Sequence, residues 1–372
     1  MGEKYLLKEE IVPITYILML LFSVAMLLIA QKFKENKIIK IGAYVISALS
    51  FLIVSAIRYD VGTDYLFRYA PDYIKMGQGI DVPNLEVGYK AIVFICLLIS
   101  KDYAIIFAVT SIIIIGLTFY TIYKESPYPV LSVIIYFCAG FFFHSLNLMR
   151  QYLAISIILF SYKYLINKEY IEFVLCMILA CLMHSISLVF IISFLLCDRE
   201  VFDLKRTIII SILLLVFGKY IWHFVVDLII NYTRFATYIG SKFDKSKLRI
   251  YDIIFNAIIY IILYYLYKHT KEKGRKEKFF LNMQACSLFF MILANVMYLL
   301  FRFSFFFGIF NIISIPYFLK KSDIETKKKI AVLVILMITL GGYITKTNII
   351  GNTDEVKPYK TILTVKNRKF TF

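Results

Sequence analysis

The sequence predicts an all-α, polytopic integral membrane helical bundle, and three observations carry that prediction. Hydrophobic residues fill 60% of the 372 positions, and mean hydropathy is +0.77. The apolar runs approach the roughly 20 residues that a helix needs to cross about 30 Å of hydrocarbon. Nothing alternates with the period of a lipid-facing barrel strand, and a helix satisfies its own backbone in lipid. The net charge of +17 would point a soluble chain towards nucleic acid. Here Lys and Arg fall mainly in short loops between apolar runs, the positive-inside pattern, so no nucleic acid is expected and the bilayer is the partner.

The first run, Pro13 to Ala30, is too long for a signal-peptide core and is read as an anchor. The Lys-rich loop QKFKENKIIK then belongs inside, so the second run, about Ile38 to Ile57, delivers Arg58 to the outer face. An outer loop over 58–88 follows, marked by Pro71, Gly77, Gly79, Pro83 and Gly88; long loops of this kind commonly carry function. Tyr89 to Ser100 is short for a span. Tyr103 to Tyr123, Pro129 to Phe143 and Gln151 to Ile166 are longer.

Tyr170 to Cys197 is a single apolar stretch interrupted by HSIS. If it is two short helices turning at His184, and Tyr89 to Ser100 does not cross, then His144, Arg150 and His184 share the outer face. If it is one helix and Tyr89 to Ser100 crosses, His144 and Arg150 are cytoplasmic. The charge rule favours the first arrangement. Thr207 to Ile230 leads to a second outer loop over 231–250, and Tyr251 to Tyr267 returns to KHTKEKGRKEK. Phe279 to Leu300, Phe303 to Leu319 and Ile330 to Thr345 complete about twelve crossings. The expectation is a single polytopic membrane domain over 1–346, without an internal repeat, and a short C-terminal tail over 347–372.

The stretch RYDVGTDYLFRY, Arg58 to Tyr69, sets two Arg, two Asp and four aromatic residues between apolar runs. Ionisable groups at a membrane edge are costly unless they pair or bind something, which marks a functional site. Arg58, Asp60, Asp64 and Arg68 either snorkel and pair with one another or hold a ligand. Gly62 permits a turn, and Thr63 and Tyr65 add hydrogen bonds and a flat face. Arg150 and Gln151 open an apolar helix beside Asn147 and His144; an Arg there snorkels or grips an anion with its planar fork. His184 is a packing residue or a proton acceptor near neutral pH. Arg302 in FRFSFFF offers the same choice as Arg150. The six Cys lie in or at the ends of apolar runs without metal-ligand spacing, and read as core residues.

These segments together resemble a known family. RYDVGTDYLFRY, EVGYK (Glu86 to Lys90), NLMRQYLA (Asn147 to Ala154), LACLMHSIS (Leu179 to Ser187) and FRFSFFF with Pro316 resemble, in order and spacing, the EpsG family of Wzy-like exopolysaccharide and capsule polymerases. The pattern departs at Ile186, which stands where the family usually has Ser, between Ser185 and Ser187. The resemblance implies a glycosyltransferase C-like membrane fold. It also implies a transferase of the bacterial cytoplasmic (inner) membrane that joins oligosaccharide repeat units carried on undecaprenyl diphosphate at the outer face.

That chemistry assigns roles. Arg58, Arg150 and Arg302, with Arg68, would meet the diphosphate leaving group. Asp64, then His184, would take the proton of the attacking hydroxyl. Asp60 and Glu86 would orient sugar hydroxyls, with Gly62, Thr63, Tyr65 and Gln151 lining the site. No cofactor and no metal ligand set is expected, and the anticipated neighbours are a flippase and a chain-length regulator. Two other readings use the same Arg residues: a lipid-linked saccharide transporter or flippase, and a polysaccharide ligase. An acyltransferase built around His184 is a third.

Overall fold

The computed structural model describes residues 11–229 and 249–365, so the outer loop expected over 231–250 lies almost wholly outside the described residues. The described residues are helical without strands, as an apolar chain in lipid requires. They fall into two compact units, 11–188 with 344–365, and the described residues of 189–343.

In the first unit, α1 (Ile11–Lys32) and α2 (Lys37–Ala56) form a hairpin. The Asn36 side chain caps α2 by accepting from the Ile39 amide at 3.1 Å. Beyond Arg58 the chain forms a five-residue π-helical turn, Tyr65–Tyr69, and then α3 (Ala70–Gly77). The sequence reading takes this stretch as part of a loop marked by Pro71, Gly77, Gly79, Pro83 and Gly88. Pro71 instead occupies the first turn of α3, where its missing N–H is no loss. The short helix α4 (Val87–Ile99) is about 20 Å long at 1.5 Å per residue. Next come α5 (Ala104–Glu125), α6 (Pro129–Cys138) and α7 (Phe141–Asn147). The expected single span from Pro129 is bent by 51° between α6 and α7. The bend sits at Gly140, whose φ of 81° suits glycine.

Helix α8 (Met149–Asn167) is the enclosed centre of this unit, buried from Met149 to Leu159 without interruption. It packs on α5 and on α9 (Tyr170–Met183), and α9 packs on α4. The α-helix of α9 ends at His184, whose backbone is extended (φ −157°, ψ 112°), and the chain resumes as a 3-10 turn, Ser185–Ile191.

The second unit holds α10 (Ile192–Leu196), α11 (Leu204–Ile229), α12 (Ile250–Lys268) and α13 (Arg275–Leu293), followed by α14 (Phe301–Gly308), α15 (Asn311–Lys321) and α16 (Thr326–Ile344). The run expected as Phe303 to Leu319 is bent by 43° between α14 and α15. Helix α13 is the enclosed one here, with α11, α12 and α14 against it. Its polar side chains find partners on the neighbouring segments. Asn311 Nδ2 donates to Gln284 Oε1 at 2.8 Å, Gln284 Nε2 to the Asn256 carbonyl at 3.0 Å, and Ser287 Oγ to Asn256 Oδ1 at 2.9 Å. Asn282 Nδ2 donates to the carbonyls of Leu196 and Arg199, each at 2.7 Å.

Six described helices are long and apolar enough to cross a membrane, or up to eight if each bent pair is one span. Neither α8 nor α13 is among them, because both carry too many polar residues.

Candidate active site

Three chain segments of the first unit meet at one carboxylate. Glu86 precedes α4 in extended backbone, Arg150 lies in the first turn of α8, and His184 stands where α9 stops. Arg150 Nη1 lies 2.5 Å from Glu86 Oε2, and His184 Nδ1 lies 3.2 Å from Glu86 Oε1. The Ser185 amide donates to Glu86 Oε1 at 3.4 Å and its hydroxyl lies at 3.5 Å. Ser187 turns inward and donates to the His184 carbonyl at 2.5 Å. The hydroxyl beside the histidine is therefore that of Ser185.

Gly88 makes this convergence possible. A Cβ there would stand 2.5 Å from Met183 Cε and 2.8 Å from the Leu182 carbonyl oxygen, so only glycine lets α4 come this close to the end of α9.

The Glu86 side chain is 8% exposed. Burial raises its pKa, but the hydrogen bond from His184 and the charge of Arg150 outweigh burial and hold it at about 2. The carboxylate is thus a fixed negative charge that orients two nitrogen-bearing side chains. Arg150 lies over the Tyr89 ring at 5.8 Å, and its Nε has no partner among the described residues. That donor is enclosed and unspent, and the guanidinium also meets the Tyr69 hydroxyl.

Around this centre the outer segment adds further charge. The charges of Asp64, Arg150 and Arg68 all reach the Tyr69 phenol, and Asp72 feels the same three. Arg68 pairs with Asp72 at 3.8 Å. The Asp64 backbone N–H donates to Asn147 Oδ1 at 3.3 Å, while its half-buried carboxylate makes no hydrogen bond or ion pair among the described residues. Thr63 is exposed and Gln151 buried. Gly62 has φ 94°, and a Cβ there would meet the Leu146 carbonyl at 2.8 Å, so conformation and space both select glycine.

Three residues of the first unit that are read from the sequence as site residues, Arg58, Tyr65 and Asp60, sit away from the Glu86 cluster. Arg58 is 1% exposed; its Nη1 donates to the Ser55 carbonyl and lies 3.4 Å from Ser111 Oγ, and its guanidinium lies 4.9 Å from the Phe107 ring centroid. Tyr65 is fully buried and stacks on Phe107 at 3.8 Å. These two form the support under the outer segment. Asp60 pairs with Lys360 at 3.4 Å. Arg302 belongs to α14 of the second unit.

Sequence reasoning passed over Asp72, although its i,i+4 spacing from Arg68 was a visible signal. It also passed over Asp354, whose carboxylate lies 2.8 Å from His144 Nδ1 with both side chains buried. Among the described residues no group of three His, Cys, Asp or Glu is arranged to hold a metal.

Many apolar helices, with a cluster of charged side chains where α4, α8 and α9 meet, define a multi-pass membrane protein with a polar site. More particularly, the chain belongs to the EpsG family, whose model matches residues 41–361. Membership suggests a membrane protein of the polysaccharide polymerase type. No curated protein and no solved structure matches the chain.

Proposed function

We propose that this protein is a Wzy-type glycosyltransferase that polymerises oligosaccharide repeat units carried on undecaprenyl diphosphate, making exopolysaccharide or capsule at the outer face of the bacterial inner membrane. The observation that supports this best is the shared carboxylate, which holds Arg150 and His184 at one point. An anionic leaving group needs preset donors, and donors held by a fixed charge need no reorganisation as the bond breaks.

In this reading an acceptor sugar hydroxyl attacks the anomeric carbon of a lipid-linked sugar. The new glycosidic C–O bond forms as the bond to the diphosphate breaks, and undecaprenyl diphosphate leaves with the electron pair. Asp64, whose carboxylate is uncommitted, takes the hydroxyl proton. Arg150, assisted by Arg68 and by His184, receives the diphosphate. Glu86 acts as the anchor of this pair. Thr63 and Gln151 contact sugar, while Arg58, Tyr65 and Gly62 shape the segment that presents Asp64. Arg302 is assigned to the diphosphate on the family pattern.

The same reading takes the fold as glycosyltransferase C-like. Adding α8, α13 and the two arms that meet at His184 to the eight spans gives about twelve crossings. A flippase and a chain-length regulator are the expected neighbours.

The test is a chain-length profile of lipid-linked saccharide after purified protein in lipid is mixed with undecaprenyl-diphosphate repeat units and no nucleotide sugar. A ladder of multiples is the expected result. Unchanged single repeats with intact protein would overturn the assignment.

A further inference from the structure

The C-terminal segment returns to the outer segment and closes a circuit around Asp64. Tyr59 and Val61 are buried, so the backbone donors near them need protein partners. The turn through Asp60 and Gly62, with φ 53° and 94°, prevents regular pairing within the segment itself. The C-terminal segment supplies the acceptors: Tyr59 N donates to the Lys360 carbonyl at 2.8 Å and Gly62 N to the Glu355 carbonyl at 3.0 Å.

This segment is pinned in turn. Asp354 lies 2.8 Å from His144 of α7, and the Tyr16 hydroxyl donates to the Val356 carbonyl at 3.1 Å. Three residues after His144, Asn147 accepts the Asp64 amide. The path runs from α7 through Asp354 and Glu355 to Gly62, then through Asp64 back to α7. A residue in such a closed circuit has little freedom to turn.

We infer that residues 351–362 are a strap that sets the position of Asp64, with Asp354 as its positioning residue, acting through His144 and the 58–64 segment. The catalytic half of this inference rests on the polymerase reading; the strap itself does not.

The experiment uses full-length protein in lipid nanodiscs and two readouts. Amide exchange of residues 58–69 reports the strap directly, and ladder growth gives kcat and KM for the lipid-linked repeat unit. Asp354→Ala is expected to speed exchange at Tyr59 and Gly62 by about tenfold, the equivalent of one lost hydrogen bond. It should lower kcat several-fold with KM nearly unchanged and exchange in α5 and α8 unaltered. Asp354→Asn keeps an acceptor for His144 and should restore most of both. Tyr16→Phe, which is isosteric, should move both readouts the same way by less.

Unchanged exchange at Tyr59 and Gly62 in Asp354→Ala would overturn the strap. Faster exchange with an unchanged kcat would overturn its positioning role. If the wild type makes no ladder, the polymerase reading fails instead, and the strap is decided by exchange alone.

Discussion

Helices α8 and α13 are both enclosed and both too polar to pass as spans, yet their side chains end differently. The amides of α13 are spent on protein partners: Asn282 donates to two carbonyls, and Gln284 donates to Asn256 and accepts from Asn311. On α8, Arg150 keeps Nε without a partner among the described residues, next to a segment whose Asp64 carboxylate is likewise uncommitted. A satisfied buried network fixes packing, whereas donors left over at a charged cluster await a ligand. Polarity alone therefore does not mark a site, and neither does a spare donor, which buried Arg58 also keeps; at Arg150 the spare donor coincides with the carboxylate that also holds His184.

Function is the sharpest test of that contrast. Arg150→Lys and Asp64→Asn should each slow ladder growth by about 100-fold or more, as loss of a preset donor or base does, with the folded fraction unchanged. Normal polymer from Arg150→Lys would put α8 in the same class as α13.

Gly88→Ala should have a smaller effect, about tenfold in rate, because Met183 can swing aside but the Leu182 carbonyl cannot. Loss should track separation of Glu86 from His184, read as a changed histidine titration by NMR of the labelled protein. An unaltered titration would show that the close approach is unimportant.

On α13, Gln284→Leu leaves the Asn311 amide without its acceptor. It should cost about 1–3 kcal/mol of stability, seen in thermal unfolding, while the rate per folded molecule stays at the wild-type level. A rate loss without a stability loss would give α13 a catalytic part.

The narrowest effect is in acid. Glu86 is held at about 2 against an ordinary value of 4.5, so its ionic contribution is complete above about pH 4.5 and is lost as pH falls towards 2. The stability difference between wild type and Glu86→Gln should shrink as pH falls from about 4.5 towards 2. A difference unchanged down to about pH 2 would contradict the pairing.

The sequence was most informative where the candidate site is tied to a local pattern. EVGYK, MRQ and MHS each name a member of the Glu86 cluster, and the interruption at HSIS coincides with the end of α9 at His184. It was least informative about direction. Arg58 and Arg68 look alike in RYDVGTDYLFRY, yet one is buried under the aromatics and the other pairs with Asp72 at the edge. The π-helical turn after Asp64 alters which way each side chain faces, and no periodicity announces it. Pro71 reads as a loop marker until its place in a first turn is known. Asp354 lies 210 residues from His144, beyond any local signal.

The composition of α8 has a consequence for biogenesis. A translocon admits segments to lipid by their own hydrophobicity, which charged and amide side chains lower, most of all at the helix centre. Helix α8 opens with Met149, Arg150 and Gln151 and is not among the segments that qualify alone. We expect it to insert poorly by itself in a glycosylation-mapping assay and well when preceded by α5, against which it packs; equal insertion of both would disprove the dependence. The ribosome makes α5 first, so an apolar neighbour of α8 is in place to receive it.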